Sequence, residues 1–309
     1  MPEIFAGSAA YPKPSAAPVL SVGNYDGLHL GHRHLLAQLV HRARELGAPA
    51  CVYTFDPPPR VVLAPQQHQP RIQSWPDKVR ILGELGVDQV IVERFSRSFA
   101  QHPPQWFATE VLGRRIQPRA MVLGYDFRFG RARAGDIHAL RSLLPEIPIE
   151  QVDALKVRGG VVSSSAIRKL VTAGDVGQAT ELLGLEHRIR GTVVDGDKRG
   201  RTIGFPTANL QTDAQLLPKN GVYAVRVCVD GGAWLPAVAN LGERPTFDCT
   251  RFLIEVHILD FSGDLYGREI EVGFIERLRD EQGFDGADAL VAQIRADVVA
   301  ARRTLEEVR

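Results

Sequence analysis

Strand-like and helix-like stretches alternate along roughly the first 185 residues of this chain, and then the alternation stops. Residues 18–22, 50–55, 89–93 and 120–123 are short runs of β-branched and apolar residues. Between them, residues 32–46, 77–85 and 105–112 carry apolar positions at helical spacing, and Gly47 is placed to end the first. Strands separated by helices need crossover connections, which imply βαβ units and a mostly parallel sheet. Residues 170–183 predict a last helix, with Gly184 placed to stop it. From about Arg190 the texture is strand and turn, at residues 191–194, 221–229, 234–241, 252–259 and 269–274. Period-two alternation is plain in Tyr223-Ala224-Val225-Arg226-Val227, and Gly, Pro and Asp separate the runs. That pattern predicts a small antiparallel β-barrel. Residues 286–309 place Leu290, Ile294, Val298 and Leu305 among charges, as an amphipathic C-terminal helix packed on the barrel would. The expected fold is therefore α/β, with a parallel-sheet domain at 1–185 and a barrel domain at 186–309, and 309 residues suit two domains.

Charge narrows the function classes. Thirty-seven basic residues nearly cancel 36 acidic ones, for a formal charge of +1. No global field exists for gripping nucleic acid or an anionic membrane, so neither is expected as a partner, although a local phosphate pocket remains open. No uninterrupted apolar run approaches the ~20 residues of a membrane helix. The N-terminal residues have neither the basic nor the apolar region of a signal peptide. Cys51, Cys228 and Cys249 are scattered without CxxC spacing, which speaks against a zinc site and a disulfide framework. The expectation is a cytoplasmic enzyme or binding protein. The Pro/Gln-rich stretch 64–70 has no assignable role.

The run from Gly23 through Asn24, Tyr25, Asp26, Gly27, Leu28, His29, Leu30 and Gly31 to His32 follows the first strand and opens the first helix. Glycines allow a tight turn, and the helix N-terminus aims unpaired N–H groups at whatever sits there, which favours phosphate. His29 and His32 are three apart, so both rings can leave one face of the first turn and donate to phosphate oxygens that gain charge. A metal pair or a plain surface loop are the alternatives. Ser163, Ser164 and Ser165 before Ala166-Ile167-Arg168 read as a serine cap on another helix, with hydroxyls and a guanidinium at its start. Serine is also simply a good cap. The Gly124-Tyr125-Asp126-Phe127-Arg128-Phe129-Gly130 loop follows a strand at its carboxyl end, where open α/β sheets build sites; its aromatics can equally be core.

Residues 191–210 hold a second constellation, rich in glycine and basic residues between strands. It is not a Walker A, and the chain has no GxGxxG. A flexible, solvated hairpin is the plain reading. Thr207 and Asn209 lie two apart, so in extended backbone their side chains share a face, and two neutral oxygens beside a nucleotide phosphate suit Mg²⁺. Glu255 lies within the strand-like Ile254-Glu255-Val256-His257-Ile258, where it can serve as a base or point to solvent.

Taken together, G-N-Y-D-G-L-H-L-G-H, G-Y-D-F-R-F-G and S-S-S-A-I-R resemble the FMN adenylyltransferase domain of prokaryotic bifunctional riboflavin kinase/FAD synthetases. That domain has the Rossmann-like fold of HxGH nucleotidyltransferases. The stretch 191–210 with its G-F-P-T-A-N, followed by N-G-V-Y-A-V, N-L-G-E-R-P-T-F, E-V-H-I-L-D-F and R-L-R-D-E-Q-G-F-D, resembles riboflavin kinase across the second domain. The resemblance implies that riboflavin and ATP give FMN, and that FMN and a second ATP give FAD, with Mg²⁺ assisting. It implies that His29 and His32 contact ATP phosphates and that Ser164, Ser165 and Arg168 hold the triphosphate. Gly23, Asn24, Asp26, Gly27 and Asp126 complete the nucleotide site. On the kinase side it implies Thr207 and Asn209 for Mg²⁺ and ATP, a covering loop with Gly196, Lys198 and Gly204, Glu255 as base, and Arg279 and Phe284 against flavin. Asp126 stands where some members have asparagine, and Tyr25 where many have phenylalanine. An FMN phosphate is already largely a dianion at neutral pH, with its second pKa near ~6, so it can attack ATP without a base or a covalent intermediate. Activity of only one domain, or a flavin- or nucleotide-sensing protein on the same scaffold, are the alternatives.

Overall fold

A computed structural model of the chain describes residues 1–12, 17–67, 69–196, 200, 203–245 and 250–308. It packs as two compact units: Met1–Pro70 with Ser74–Ser163, and Arg71–Gln73 with Ser164–Arg309.

The first unit is built on β1 (Glu3–Phe5), β2 (Val19–Val22), α1 (Leu30–Glu45), β3 (Ala50–Phe55), α2 (Pro59–Leu63), α3 (Trp75–Glu84) and β4 (Gln89–Glu93). It continues through α4 (Arg97–Ala100), α5 (Pro104–Trp106), β5 (Ala120–Gly124), α6 (Ile137–Leu143), β6 (Ile149–Val152) and a small hairpin of β7 (Lys156–Val157) and β8 (Gly160–Val161). Six strands form one sheet in the order β1-β4-β3-β2-β5-β6, and every pair is parallel. All four residues of β2 and the first five of β3 are buried, because helices cover both faces and the strands need no polar side. Leu20, Tyr53, Ile91 and Met121 from the sheet meet Val111, Leu112 and Ile116. The chain turns from β2 to β3 on one side and reaches β5 on the other. The loop after β2 therefore leaves the sheet where strand order reverses, the place where open α/β sheets bind ligands. Where the spacing predicts an α-helix over 105–112, α5 runs directly into π-helical Phe107–Ile116, which ends on left-handed Gln117.

The second unit opens with α7 (Ser164–Ala173) and α8 (Val176–Leu183), where the spacing predicts one helix over 170–183. Gly174 at φ 86° breaks the run, and the Asp175 side chain then caps α8 by accepting from the Gln178 N–H. Strands β9 (His187–Val194), β10 (Ala208–Thr212), β11 (Gly221–Val229), β12 (Trp234–Pro245), β13 (Thr250–Ile258) and β14 (Glu269–Arg279) follow, then α9 (Ala287–Glu307). The strands close an antiparallel barrel in the order β10-β13-β12-β11-β14-β9. Its interior is filled by alternate residues such as Val225, Val227, Ala237, Ala239, Ile254, Val256 and Val272. Outside, Ala301 and Leu305 of α9 pack on Ala224, Val238, Ile275 and Leu278. Sequence texture misses β10, whose five residues include the asparagine of G-F-P-T-A-N.

Candidate functional site

Gly23 closes β2 by donating its N–H to the Tyr53 carbonyl at 3.0 Å. The next turn is strained: Tyr25, Gly27 and Leu28 have φ of 49°, 88° and 40°. Side chains hold it from several directions. Tyr25, 2% exposed, donates its hydroxyl to Ser21 Oγ at 2.6 Å, and Ser21 donates to the Val122 carbonyl at 2.5 Å. Arg33 donates from Nε to the Leu28 carbonyl at 3.0 Å. The Asn24 carbonyl accepts from Lys78 Nζ at 2.8 Å and from Thr54 Oγ1 at 3.3 Å.

This turn delivers His29 to the N-cap of α1, where Nδ1 accepts the His32 backbone N–H at 3.3 Å. An accepting Nδ1 leaves the proton of the neutral ring on Nε2, which makes that nitrogen a donor. His32 stacks on His29 with ring centroids 3.7 Å apart, and the edge of Tyr25 meets His32 at 5.3 Å. Burial pushes His29 down to about 4. Burial first, then the neighbouring His29 and Lys78, pushes His32 well below its ordinary value. Both imidazoles are thus uncharged near neutral pH. His32 Nδ1 is buried without a hydrogen-bond partner among the described residues. A side chain on Gly31 would put a Cβ 3.2 Å from His29 Nδ1, so the glycine between the histidines leaves room for the ring.

Asn24 is exposed and Asp26 half-buried in the same turn, and Asp126 is exposed just beyond β5. Beside these loops Phe55, Phe95, Phe99, Trp106, Phe107, Phe127 and Phe129 form a chain of edge and stacked contacts at 5.5–6.3 Å. Phe129 is buried in the core while Phe127 is half-buried. The sequence marks Phe127 and Phe129 through their loop; the other five members come from three other segments and carry no shared local mark.

Ser164, Ser165 and Arg168 lie in the first turns of α7, in the second unit. Ile167 and Val171 seat that helix, leaving Ser165 exposed and Arg168 half-buried.

In the barrel, Asn209 on β10 stands directly opposite Glu255 on β13, and Glu255 stands opposite Asn240 on β12. Directly opposed residues carry their Cβ atoms about 4.5–5.5 Å apart on one face. Ala208 and Val256 of the same strands point into the core, so the Asn209–Glu255–Asn240 row faces outward. Asn209 is 9% exposed and Glu255 half-buried. Gly196 crosses so close over Asn209 that a Cβ there would stand 2.0 Å from Nδ2; only glycine fits. Thr207 is half-buried just before β10, and Gly204 exposed at φ 87°. His257 anchors this segment through Nδ1 against the Pro206 carbonyl at 2.8 Å and its ring edge against Phe205. Lys198 lies outside the described residues. Arg279 forks onto the Asp297 carboxylate of α9 at 2.7 and 2.9 Å and sits 5.9 Å from the Phe284 ring. Asn240, His257 and Asp297 are further residues that sequence reasoning missed, since nothing local marks them.

Among the described residues no three His, Cys, Asp or Glu side chains gather as metal ligands. The hydroxyl of Thr207 and the amide oxygen of Asn209 are the hard, neutral donors that Mg²⁺ accepts when nucleotide phosphates supply the rest.

A parallel sheet with paired neutral histidines at a helix start, joined to a closed barrel with a carboxylate beside hydroxyl and amide donors, defines a two-part nucleotide-using transferase. The FAD synthetase family profile matches residues 12–166, and the riboflavin kinase profile matches residues 183–305. The chain belongs to the bifunctional riboflavin kinase/FMN adenylyltransferase family. It is 41% identical to the bifunctional riboflavin kinase/FMN adenylyltransferase of Escherichia coli strain K12, covering 94% of this chain and 93% of that one. It is 38% identical to the protein of the same name from Haemophilus influenzae, over 92% of each. A crystal structure titled a macrolide-efflux protein from Streptococcus pneumoniae superposes with a TM-score of 0.89 at 32% identity, covering 97% of this chain and 98% of that one. Among the described residues, no helix of the present chain is long and apolar enough to cross a membrane.

Proposed function

We propose that this chain phosphorylates riboflavin with ATP at residues within 186–309 and adenylylates the resulting FMN with a second ATP at residues within 1–185. The observation that carries this reading is that two chemically different constellations stand in separate units. One is a pair of uncharged histidine donors without a base, and the other is a carboxylate flanked by amides.

The difference suits the two acceptors. A ribityl hydroxyl is a weak nucleophile and benefits from Glu255 taking its proton. The FMN phosphate is already anionic, and its attack on the α-phosphorus of ATP expels pyrophosphate, so the protein has to position the groups and stabilise charge. His29 donates from Nε2 and, with His32 beside it, meets phosphate oxygens; Gly23, Asn24, Asp26, Gly27 and Asp126 shape the nucleotide site. Ser164, Ser165 and Arg168 offer hydroxyls and a guanidinium to nucleotide phosphate. The half-buried rings at the edge of this aromatic group, Phe127 among them, offer apolar surface for an isoalloxazine ring. In the kinase, Thr207 and Asn209 hold Mg²⁺, which neutralises phosphate charge, and the loop through Gly196 and Gly204 covers ATP. Arg279, held by Asp297, keeps Phe284 placed beside the flavin. Cys51 and Cys228 are free, buried thiols, in keeping with a cytoplasmic setting.

The test is to incubate the pure protein with riboflavin, ATP and Mg²⁺ and to resolve FMN, FAD, ADP and pyrophosphate over time. FMN rising first, then FAD with matching pyrophosphate, is expected. FMN alone would remove the adenylyltransferase half of the proposal.

A further inference from the structure

Within the pattern of α3, nothing distinguishes Lys78 from a solvated surface lysine. The structure buries it to 7% exposure, and among the described residues it is the one lysine so covered. A buried ammonium is costly unless its donors are used. Ser74 caps α3 by accepting the Asp77 N–H, and buried Val79, Ile81 and Leu82 seat the helix. The stem of Lys78 is thereby aimed at the loop after β2. Its Nζ lies 5.7 Å from the Trp75 ring centroid and donates to the Asn24 carbonyl at 2.8 Å.

Asn24 is the first residue of the turn that then places Tyr25, Gly27 and Leu28 at positive φ. Two of these carry side chains, and a side chain in the left-handed region is unfavourable unless surrounding contacts over-determine it. The turn leads without a break into the His29 cap and the stacked His32. A tie at Asn24 therefore acts on where both rings stand. A charge-assisted bond to a carbonyl is a stronger tie than the neutral one from Thr54 at 3.3 Å. We propose that Lys78 is a positioning residue for adenylyl transfer, its ammonium fixing the strained turn that presents His29 and His32. The inference rests on the reading that these histidines meet ATP phosphates.

The experiment compares Lys78→Met, which keeps the apolar stem, with Lys78→Arg, which keeps the charge and donors. Each is assayed for FMN adenylylation and for riboflavin phosphorylation, with His32→Ala alongside. Lys78→Met is expected to lower kcat of adenylylation at least ten-fold, leave the KM for FMN within two-fold and leave riboflavin phosphorylation within two-fold. Lys78→Arg is expected to recover most of the lost kcat. If Lys78→Met does not fold, Lys78→Gln is read in its place, with the same loss expected. Full adenylylation in the Met or Gln variant, equal loss in the Arg variant, or loss of both activities overturns the proposal. Full adenylylation in His32→Ala instead overturns the reading of the histidines, whatever Lys78 does.

Discussion

The rings of His29 and His32 lie face to face, 3.7 Å apart and 16° from parallel, at the first turn of α1. Protonating either would set a charge against its neighbour in a buried place, so the arrangement keeps both neutral. The pair can act as hydrogen-bond donors without acting as acids.

A pH dependence of stability follows. His29 sits at about 4 in the folded chain against an ordinary 6.5, so between those values the unfolded chain binds more protons. Its contribution is full above the ordinary value and is lost as pH falls toward the folded one, reaching about 3 kcal/mol at ~1.36 kcal/mol for each pKa unit. His187, buried against the Leu216 carbonyl and also pushed to about 4, adds a loss of the same sign in the barrel. Thermal unfolding is expected to be flat near pH 7–8 and to move to lower temperature below about pH 6. His29→Asn, which keeps a cap acceptor and does not titrate, is expected to shrink the shift of the N-terminal transition. An unchanged slope in that variant would assign the acid sensitivity to other groups.

Gly196 passes over Asn209 with no room for a Cβ. Gly196→Ala is expected to displace the Asn209 amide or lift the loop, and to reduce riboflavin phosphorylation by about ten-fold or more, since ~1.4 kcal/mol of lost positioning suffices for that factor. FMN adenylylation by the same protein should stay within two-fold of the parent. Initial rates with riboflavin and with FMN supplied separately check both halves.

The Arg279–Asp297 pair joins β14 to α9, with Asp297 at 7% side-chain exposure and Arg279 at 20%. Removing one partner strands the other charge in a covered place, at a cost of roughly 3–5 kcal/mol. Asp297→Asn is expected to lower the unfolding midpoint of the barrel and to raise the KM for riboflavin more than it lowers kcat, because Phe284 rests against Arg279. A KM unchanged in a destabilised protein would show the pair to be structural only.

Much of this was legible in the residues themselves. The parallel sheet showed in strand-helix alternation, because buried strands of such a sheet are apolar on both faces, as β2 and β3 are. The histidines showed because their spacing and flanking glycines are local. What was hidden depends on tertiary contact. β10 is only five residues long and contains Asn209 and Gln211, so its pattern reads as loop until β9 and β13 pair with it. Lys78, Asn240 and Asp297 carry no local mark, and become visible only when the Asn24 carbonyl, Glu255 and Arg279 arrive beside them from elsewhere in the chain. The two-helix break at Gly174 turns on one backbone angle that the apolar spacing of 164–183 does not encode.

The central claim is that each reaction has its own residues. His32→Ala and Glu255→Ala, each assayed for FMN formation from riboflavin and for FAD formation from supplied FMN, test it most directly. His32→Ala is expected to lose FAD formation by about 10²–10³-fold, the scale for removing a donor to developing charge, while forming FMN normally. Glu255→Ala is expected to lose FMN formation by about 10²–10⁴-fold, the scale for a general base, while adenylylating supplied FMN normally. A folded variant of either kind that loses both activities, or keeps both, contradicts the account.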